Sequence, residues 1–286
     1  MPLPSGVSVA LRLDSVGRLR QALPTARTAG FDGVTLPARL DASVLTATGS
    51  REVRALLARH ELRLCALHHT MPGFGNDPEP HAYAINRAVD AARLLGAELV
   101  AVDLGRLPAG VVTPTPVKPT PSVGGLLIPS ADDIALFGGG TKPPANQGDS
   151  SSTAATDEGL RLVAEHADRA GVIVALGSSL SPTDALVTAL RRADAPTFRA
   201  LLDPVATLHD PRGGAGFLDD LGTQLAHVLG NDATTGDAGR TQDRPLGAGD
   251  VKWKELLAML SDASFTGAIS VDDARALDAL RTASTV

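Results

Sequence analysis

Eight short apolar runs with helix-period segments between them constrain the fold of this chain more than any other feature of its sequence. The runs lie near Val7–Leu13, Gly33–Leu36, Leu64–His69, Leu99–Leu104, Val172–Leu176, Phe198–Leu202, Leu225–Leu229 and Gly267–Val271. Each has the length of a buried strand. Between them, Ile85, Ala88, Val89, Ala92 and Leu95 recur at helical spacing, as do Leu160, Val163, Ala164 and Ala167. The punctuation repeats too: AGFDGV from Ala29, LGAELV from Leu95, AGVIVA from Ala170 and ASFTGA from Ala263 each place Gly or a small residue where a helix stops and a strand follows. Ser181-Pro182-Thr183-Asp184 reads as an N-cap with Pro at the first helical position. Repeated strand–helix units imply successive right-handed crossovers, which close into a barrel or spread into an open doubly wound sheet. No G-x-G-x-x-G follows the first run, so the open nucleotide-binding sheet loses its best support. The expectation is a single (β/α)8 TIM barrel over residues 1–286.

Residues 106–156 break the pattern. This stretch holds eight of the twenty prolines, so TPTPVKPTP should be extended and polyproline-like, while GGGTKPPANQGDSSST has loop composition. Its position after the fourth run puts it on the C-terminal face, where barrel sites lie. It is read either as a tolerated loop or as an ordered lid, able to make a homo-oligomer contact.

Composition excludes several classes. A net charge of −6 with 3% aromatic residues offers neither the basic footprint nor the stacking rings of a nucleic-acid binder. The lone cysteine, Cys65, lies in LRLCAL, so no intrachain disulfide can form and a buried thiol is expected. No apolar run approaches the roughly 20 residues that span a bilayer, and no basic region precedes the first run. The expectation is a cytoplasmic protein with no membrane and no nucleic-acid partner.

The segment Arg244–Asp273, RPLGAGDVKWKELLAMLSDASFTGAISVDD, reads as a glycine-rich loop, an Asp250-capped helix with Leu256, Leu257 and Leu260 on one face, and a short strand ending in carboxylates. In order and wording it resembles the last unit of the xylose isomerase-like sugar isomerase/epimerase superfamily, whose branches include the family 2 apurinic endonucleases. Many members hold a divalent metal with Glu, Asp, His and Glu at the tips of strands five to eight. Carried over by position, the resemblance puts Gly177 where the first Glu would stand, Asp203 at the retained Asp, Leu229 at the metal-binding His and Asp272 at the final Glu. A His that usually follows the Asp is Ala206, while His227 and Asp232 agree with the family's strand-seven run. Asp272 is shorter than Glu by one methylene, roughly 1.5 Å of reach. The resemblance therefore implies the scaffold without a tight metal: no cofactor is expected, and Asp203 with Asp272 can hold Mg or Mn only weakly.

With no cation between them, Asp203 and Asp272 should face each other across the mouth and one pKa should rise, making either an acid/base candidate. The plainer reading is that each binds loop N–H groups. His68 and His69 end the third run, and only one can point inward; His68 is preferred as the catalytic candidate and His69 as a ligand contact. Asp103, Asp232, Arg240 and Arg244 complete the ligand-binding candidates, each with a structural alternative as a loop anchor or solvated charge. His227 and Trp253 are read as packing residues. Two functions stay open: acid/base chemistry on a small sugar, polyol or sugar acid, or a non-catalytic barrel that binds a carbohydrate-like ligand or a partner.

Overall fold

The computed structural model describes residues 3–108, 147–210, 212–236 and 240–285. Its strands and helices alternate as β1 (Ser8–Arg12), α1 (Leu19–Ala29), β2 (Gly33–Pro37), α2 (Ala47–Arg59), β3 (Arg63–Thr70), α3 (Glu79–Leu95), β4 (Leu99–Asp103) and α4 (Gln147–Ala170). There follow β5 (Ile173–Gly177), α5 (Thr183–Ala193), β6 (Phe198–Leu202), α6 (Gly213–Leu221), β7 (Leu225–Leu229), a hairpin of β8 (Asp232–Thr235) and β9 (Thr241–Arg244), α7 (Trp253–Asp262), β10 (Ala268–Val271) and α8 (Ala274–Thr285). Strands β1 to β7 and β10 are parallel and close into a barrel in the order β1-β10-β7-β6-β5-β4-β3-β2. The eight apolar runs are those eight strands.

The helices close on the barrel through the stripes their spacing sets. Ile85, Ala88, Val89, Ala92 and Leu95 of α3 and Leu160, Val163 and Ala167 of α4 are all buried in the layer between strands and helices. Gly30 and Gly96 end α1 and α3 in the left-handed region (φ 86° and 73°), where a Cβ would be strained. Ser264 takes the same conformation after α7 (φ 55°).

Inside the barrel a smaller cluster of Ala66, Leu99, Ala101, Ala175, Leu201 and Leu229 fills the centre. Two bulges set which residues join it. On β3, Val34 pairs with Leu64 and Thr35 with Ala66, so Cys65 is the extra residue. Leu64 packs outward, Cys65 meets Ala10 and Ala268, and Ala66 faces the centre. The strict alternation of the sequence is broken there, and His68 follows Ala66 inward. On β7, Ala226 is extra in the same way, between Leu225 opposite Ala200 and His227 opposite Leu201.

Several local expectations change. Asp250 does not cap α7: its Oδ2 accepts the Thr235 N–H at 2.7 Å, and the helix starts at Trp253 with no side-chain cap. The loop's own hairpin has captured the carboxylate. Ser181 does not cap α5 either; Pro182 is extended (ψ 154°), the helix starts at Thr183, and the Ser181 hydroxyl accepts the Leu107 N–H at 2.7 Å. Residues 147–156, read as loop and part of the insertion, belong to α4, which starts at Gln147. Burial of Ala155 and Thr156 outweighs their poor local signal, and the Thr156 hydroxyl donates back to Ser152 O at 2.9 Å. The rest of the expected lid, residues 109–146, lies outside the described residues. The β8–β9 hairpin has no counterpart in the expected elements: its sequence is too polar to read as strands, and all of β9 is exposed.

Candidate functional site

The inward-facing tips of the strands build the mouth. Asp103 on β4 and Gly177 on β5 lie in register with Thr70 on β3, and His68, paired with Ala101, stands two residues below Thr70 on the same face. Asp203 follows β6 directly, Asn231 follows β7, Asp272 follows β10, and Arg12 ends β1. Arg12 is the residue the sequence reading missed. Its Nε donates to Asp272 Oδ1 at 2.7 Å and its Nη2 to Asn231 Oδ1 at 2.7 Å. Asn231 in turn hydrogen-bonds Asp203. A cation does sit beside these carboxylates, contrary to the expected unscreened pair, and it is a guanidinium. The signal was present: Arg12 shares parity with Ser8 and Ala10 in an otherwise apolar run, where a charge at an inward tip is costly unless paired.

The two acids differ. Asp203 is partly buried and its carboxyl is pushed up, first by desolvation and then by Asp103, against the Val205 N–H it accepts at 3.1 Å and the pull of Asn231 and Arg12. Asp272 is largely exposed and paired with Arg12. The expected mutual repulsion of Asp203 and Asp272 is thus replaced by desolvation, with Asp103 as the charged neighbour.

Burial, then Arg12, lowers His68 to about 4, so its imidazole is neutral near pH 7. Its Nε2 is buried without a partner among the described residues. Burial and Arg39 lower His69 as well. Both histidines line one cavity of about 650 Å³ with Arg12, Arg39, Thr70 and Asp272. A second cavity of about 580 Å³ shares Arg12 and Asp272 and is lined by Asp203, Asn231, Arg244 and Arg275. Arg240 stands apart from these, on the rim of a third cavity of about 1020 Å³ that reaches Asp203 from the α5 side.

Three ligand candidates are engaged structurally. Asp232 is buried, and its carboxylate accepts four backbone N–H groups: Ala233 at 2.9 Å, Gly247 at 2.7 Å, Gly249 at 3.1 Å and Val251 at 3.2 Å. It anchors the glycine-rich loop and has no oxygen to spare for a ligand. Asp103 accepts the Gly105 and Ser179 N–H groups at 2.9 and 3.0 Å and the Ser179 hydroxyl at 2.7 Å, tying the β4 tip to the loop after β5. Arg244 bonds within its own hairpin, to Thr234 Oγ1 at 3.3 Å and Gln242 Oε1 at 2.8 Å. Deeper in the barrel, His227 is fully buried and lowered to about 3 by burial; its Nε2 lies 2.8 Å from Ser270 Oγ, which lies 2.6 Å from Thr35 Oγ1.

Gly177 and Leu229 stand where the resemblance would put two of the family's metal ligands. Gly177 has no donor, and a Cβ there would lie 2.8 Å from Leu201 O. Leu229 fills the barrel centre as part of its apolar cluster. Among the described residues no group of three or more His, Cys, Asp or Glu is placed to hold an ion.

A closed eight-stranded parallel barrel with its polar groups gathered at the C-terminal tips defines a TIM barrel. A family model described as "Xylose isomerase-like TIM barrel" matches residues 23–283, and the chain belongs to that family. Among solved structures it is similar to a xylose isomerase domain protein from Planctomyces limnophilus, with a TM-score of 0.65 and 14% identity over 98% of this chain and 93% of that one. It is also similar to a 3-keto-D-glucoside 4-epimerase from E. coli, with a TM-score of 0.65 and 16% identity over 96% and 99% of the two chains. A D-allulose 3-epimerase from Methylomonas sp. gives a TM-score of 0.63 and 16% identity over 98% and 92%. At these identities the likeness is one of fold. No curated protein sequence matches. No helix among the described residues is long and apolar enough to cross a membrane.

Proposed function

We propose that the barrel mouth binds a small sugar, polyol or sugar acid and carries out proton transfer on it without a tightly held divalent metal. The observation that carries this reading is the convergence of Arg12, His68, Asp203 and Asp272 on two adjoining cavities of about 650 and 580 Å³, a size suited to a small ligand. Asp203 is the acid/base group of choice, because burial and Asp103 raise its affinity for a proton. His68, neutral across physiological pH, serves as a hydrogen-bond partner for a ligand hydroxyl. Arg240 and Arg244, at the rims of the cavities, are peripheral contacts. That solved barrels of this fold include sugar epimerases supports the ligand class by analogy only.

The absence of side-chain donors at Gly177 and Leu229 supports a site without a four-ligand metal. The same absence favours a second reading, a binding barrel with no chemistry. One experiment separates them. EDTA-treated protein is incubated with aldoses, ketoses and sugar acids in D2O, with binding followed by calorimetry and C–H exchange by NMR. Ligand binding with C–H exchange that Asp203→Asn abolishes supports the enzyme, and binding without exchange supports the second reading. If no member of these classes binds, both fail.

A further inference from the structure

We infer that Arg12 is the resident cation of the mouth and that its uncommitted N–H groups receive the carboxylate of a sugar acid. This rests on the small-carbohydrate reading above and narrows it to one substrate class.

The guanidinium has five N–H donors. One goes to Asp272 and one to Asn231, which leaves three without a partner among the described residues. Its side chain is 22% exposed while that of Asp272 is 66% exposed, so the charge is set into the barrel and held from its outer side. Through Asn231 the network continues to Asp203, linking the tips of β1, β6, β7 and β10. Those tips include both carboxylates that the family resemblance assigns to a metal, and a fixed guanidinium supplies positive charge to them without needing further ligands. A delocalised, weakly hydrated fork tolerates partial burial better than an ammonium and matches a carboxylate with paired N–H bonds.

The charges around Arg12 are unequal on its two sides. Towards β2 and β3, the cavity adds Arg39, which has no ion pair among the described residues, and Arg18, which is paired with Asp14 at 3.1 Å. Towards β6 and β10, the acids Asp203, Asp243 and Asp273 outnumber Arg244 and Arg275. A ligand with an anionic head and a hydroxylated tail is therefore oriented, with its carboxylate on the Arg39 side of Arg12 and its hydroxyls towards the acids. An uncharged sugar lacks that preference.

Matched pairs that differ only in the terminal group test this: D-gluconate against D-glucitol, D-xylonate against xylitol and L-arabinonate against L-arabinitol, titrated calorimetrically into the EDTA-treated full chain. At least one aldonate should bind about tenfold or more tightly than its alditol. Arg12→Gln should bring that aldonate down to the alditol's affinity. Arg39→Gln, an exposed change that leaves the Arg12 network intact, should weaken the aldonate and leave the alditol unchanged. If Arg12→Gln does not fold, the wild-type preference and the Arg39→Gln result decide. Equal affinities within every binding pair overturn the inference while leaving the carbohydrate site standing, as does aldonate binding that is lost with EDTA and restored by Mn2+. If no member of any pair binds, the inference falls together with the reading it rests on.

Discussion

Gly177 shows how a single residue limits the chemistry of the mouth. A Cβ at this position meets the Leu201 carbonyl oxygen at 2.8 Å and Leu201 Cγ at 3.1 Å, and the first is backbone that cannot swing away. Gly177→Ala should destabilise the protein by about 1–3 kcal/mol in urea unfolding, the usual range for overpacking. Gly177→Glu should cost at least as much and recover no metal binding, so a stable variant that takes up Mn2+ would contradict this account of the position. Asp232 makes a complementary case. Three of its four N–H bonds hold the loop from Gly247 to Val251, and Asp232→Ala would leave those groups unpaired. The expected loss is on the order of 3 kcal/mol, with faster amide exchange at Gly247, Gly249 and Val251. An unchanged exchange pattern would show that the loop is held by other means. Asp232 matched the family's pattern in the sequence, yet nothing local distinguishes a ligand from a loop anchor. Arg12 was missed for the opposite reason: it stands in an apolar run, and its partners lie 219 and 260 residues away.

Among the elements, α4 and the β3 bulge show where periodic patterns carry information and where they stop. The strands and the stripe Leu160, Val163 and Ala167 were legible because burial on one side of a regular element leaves a period in the sequence. The first turns of α4 were not, since Ser and Thr favour caps and turns in isolation, and the burial that favours the helix is seen at Ala155 and Thr156. Gly159 lies where α4 crosses the buried Phe74 ring, whose Cδ1 would be 2.2 Å from a Cβ. Gly159→Ala should therefore lower stability by about 1–3 kcal/mol, whereas a helix-propensity effect alone would raise it by up to about 1 kcal/mol. Thermal unfolding distinguishes the two by sign. On β3, the bulge at Cys65 shifts the alternation by one, which left the facing of His68 and His69 ambiguous before the pairing with β2 was known.

At the scale of the whole molecule, the barrel encloses two imidazoles that folding keeps neutral. His68 is lowered to about 4 and His227 to about 3, both mainly by burial, against an ordinary value of 6.5. Below pH 6.5 the unfolded chain binds protons that the folded barrel does not, so stability should fall as the pH drops from 6.5 towards 4. The slope is about 1.4 kcal/mol per pH unit for each histidine. Asp203 works in the other direction: its raised carboxyl costs stability as the pH climbs through and above 3.8, and this cost is relieved on acidification. Urea unfolding of wild type and His227→Gln between pH 7 and 4 should show the shallower slope in the variant; parallel slopes would contradict the burial argument. The barrel itself was the most legible level, because eight repeats of one unit leave few alternative topologies, whereas the mouth depends on which tips meet across the closure. The most direct measurement of whether this mouth works through Arg12 and without a divalent ion is calorimetric titration of the metal-stripped chain with Mn2+, with Asp203→Asn in parallel. The account predicts no tight, stoichiometric binding in either protein; stoichiometric uptake by the wild type that disappears in Asp203→Asn would contradict it.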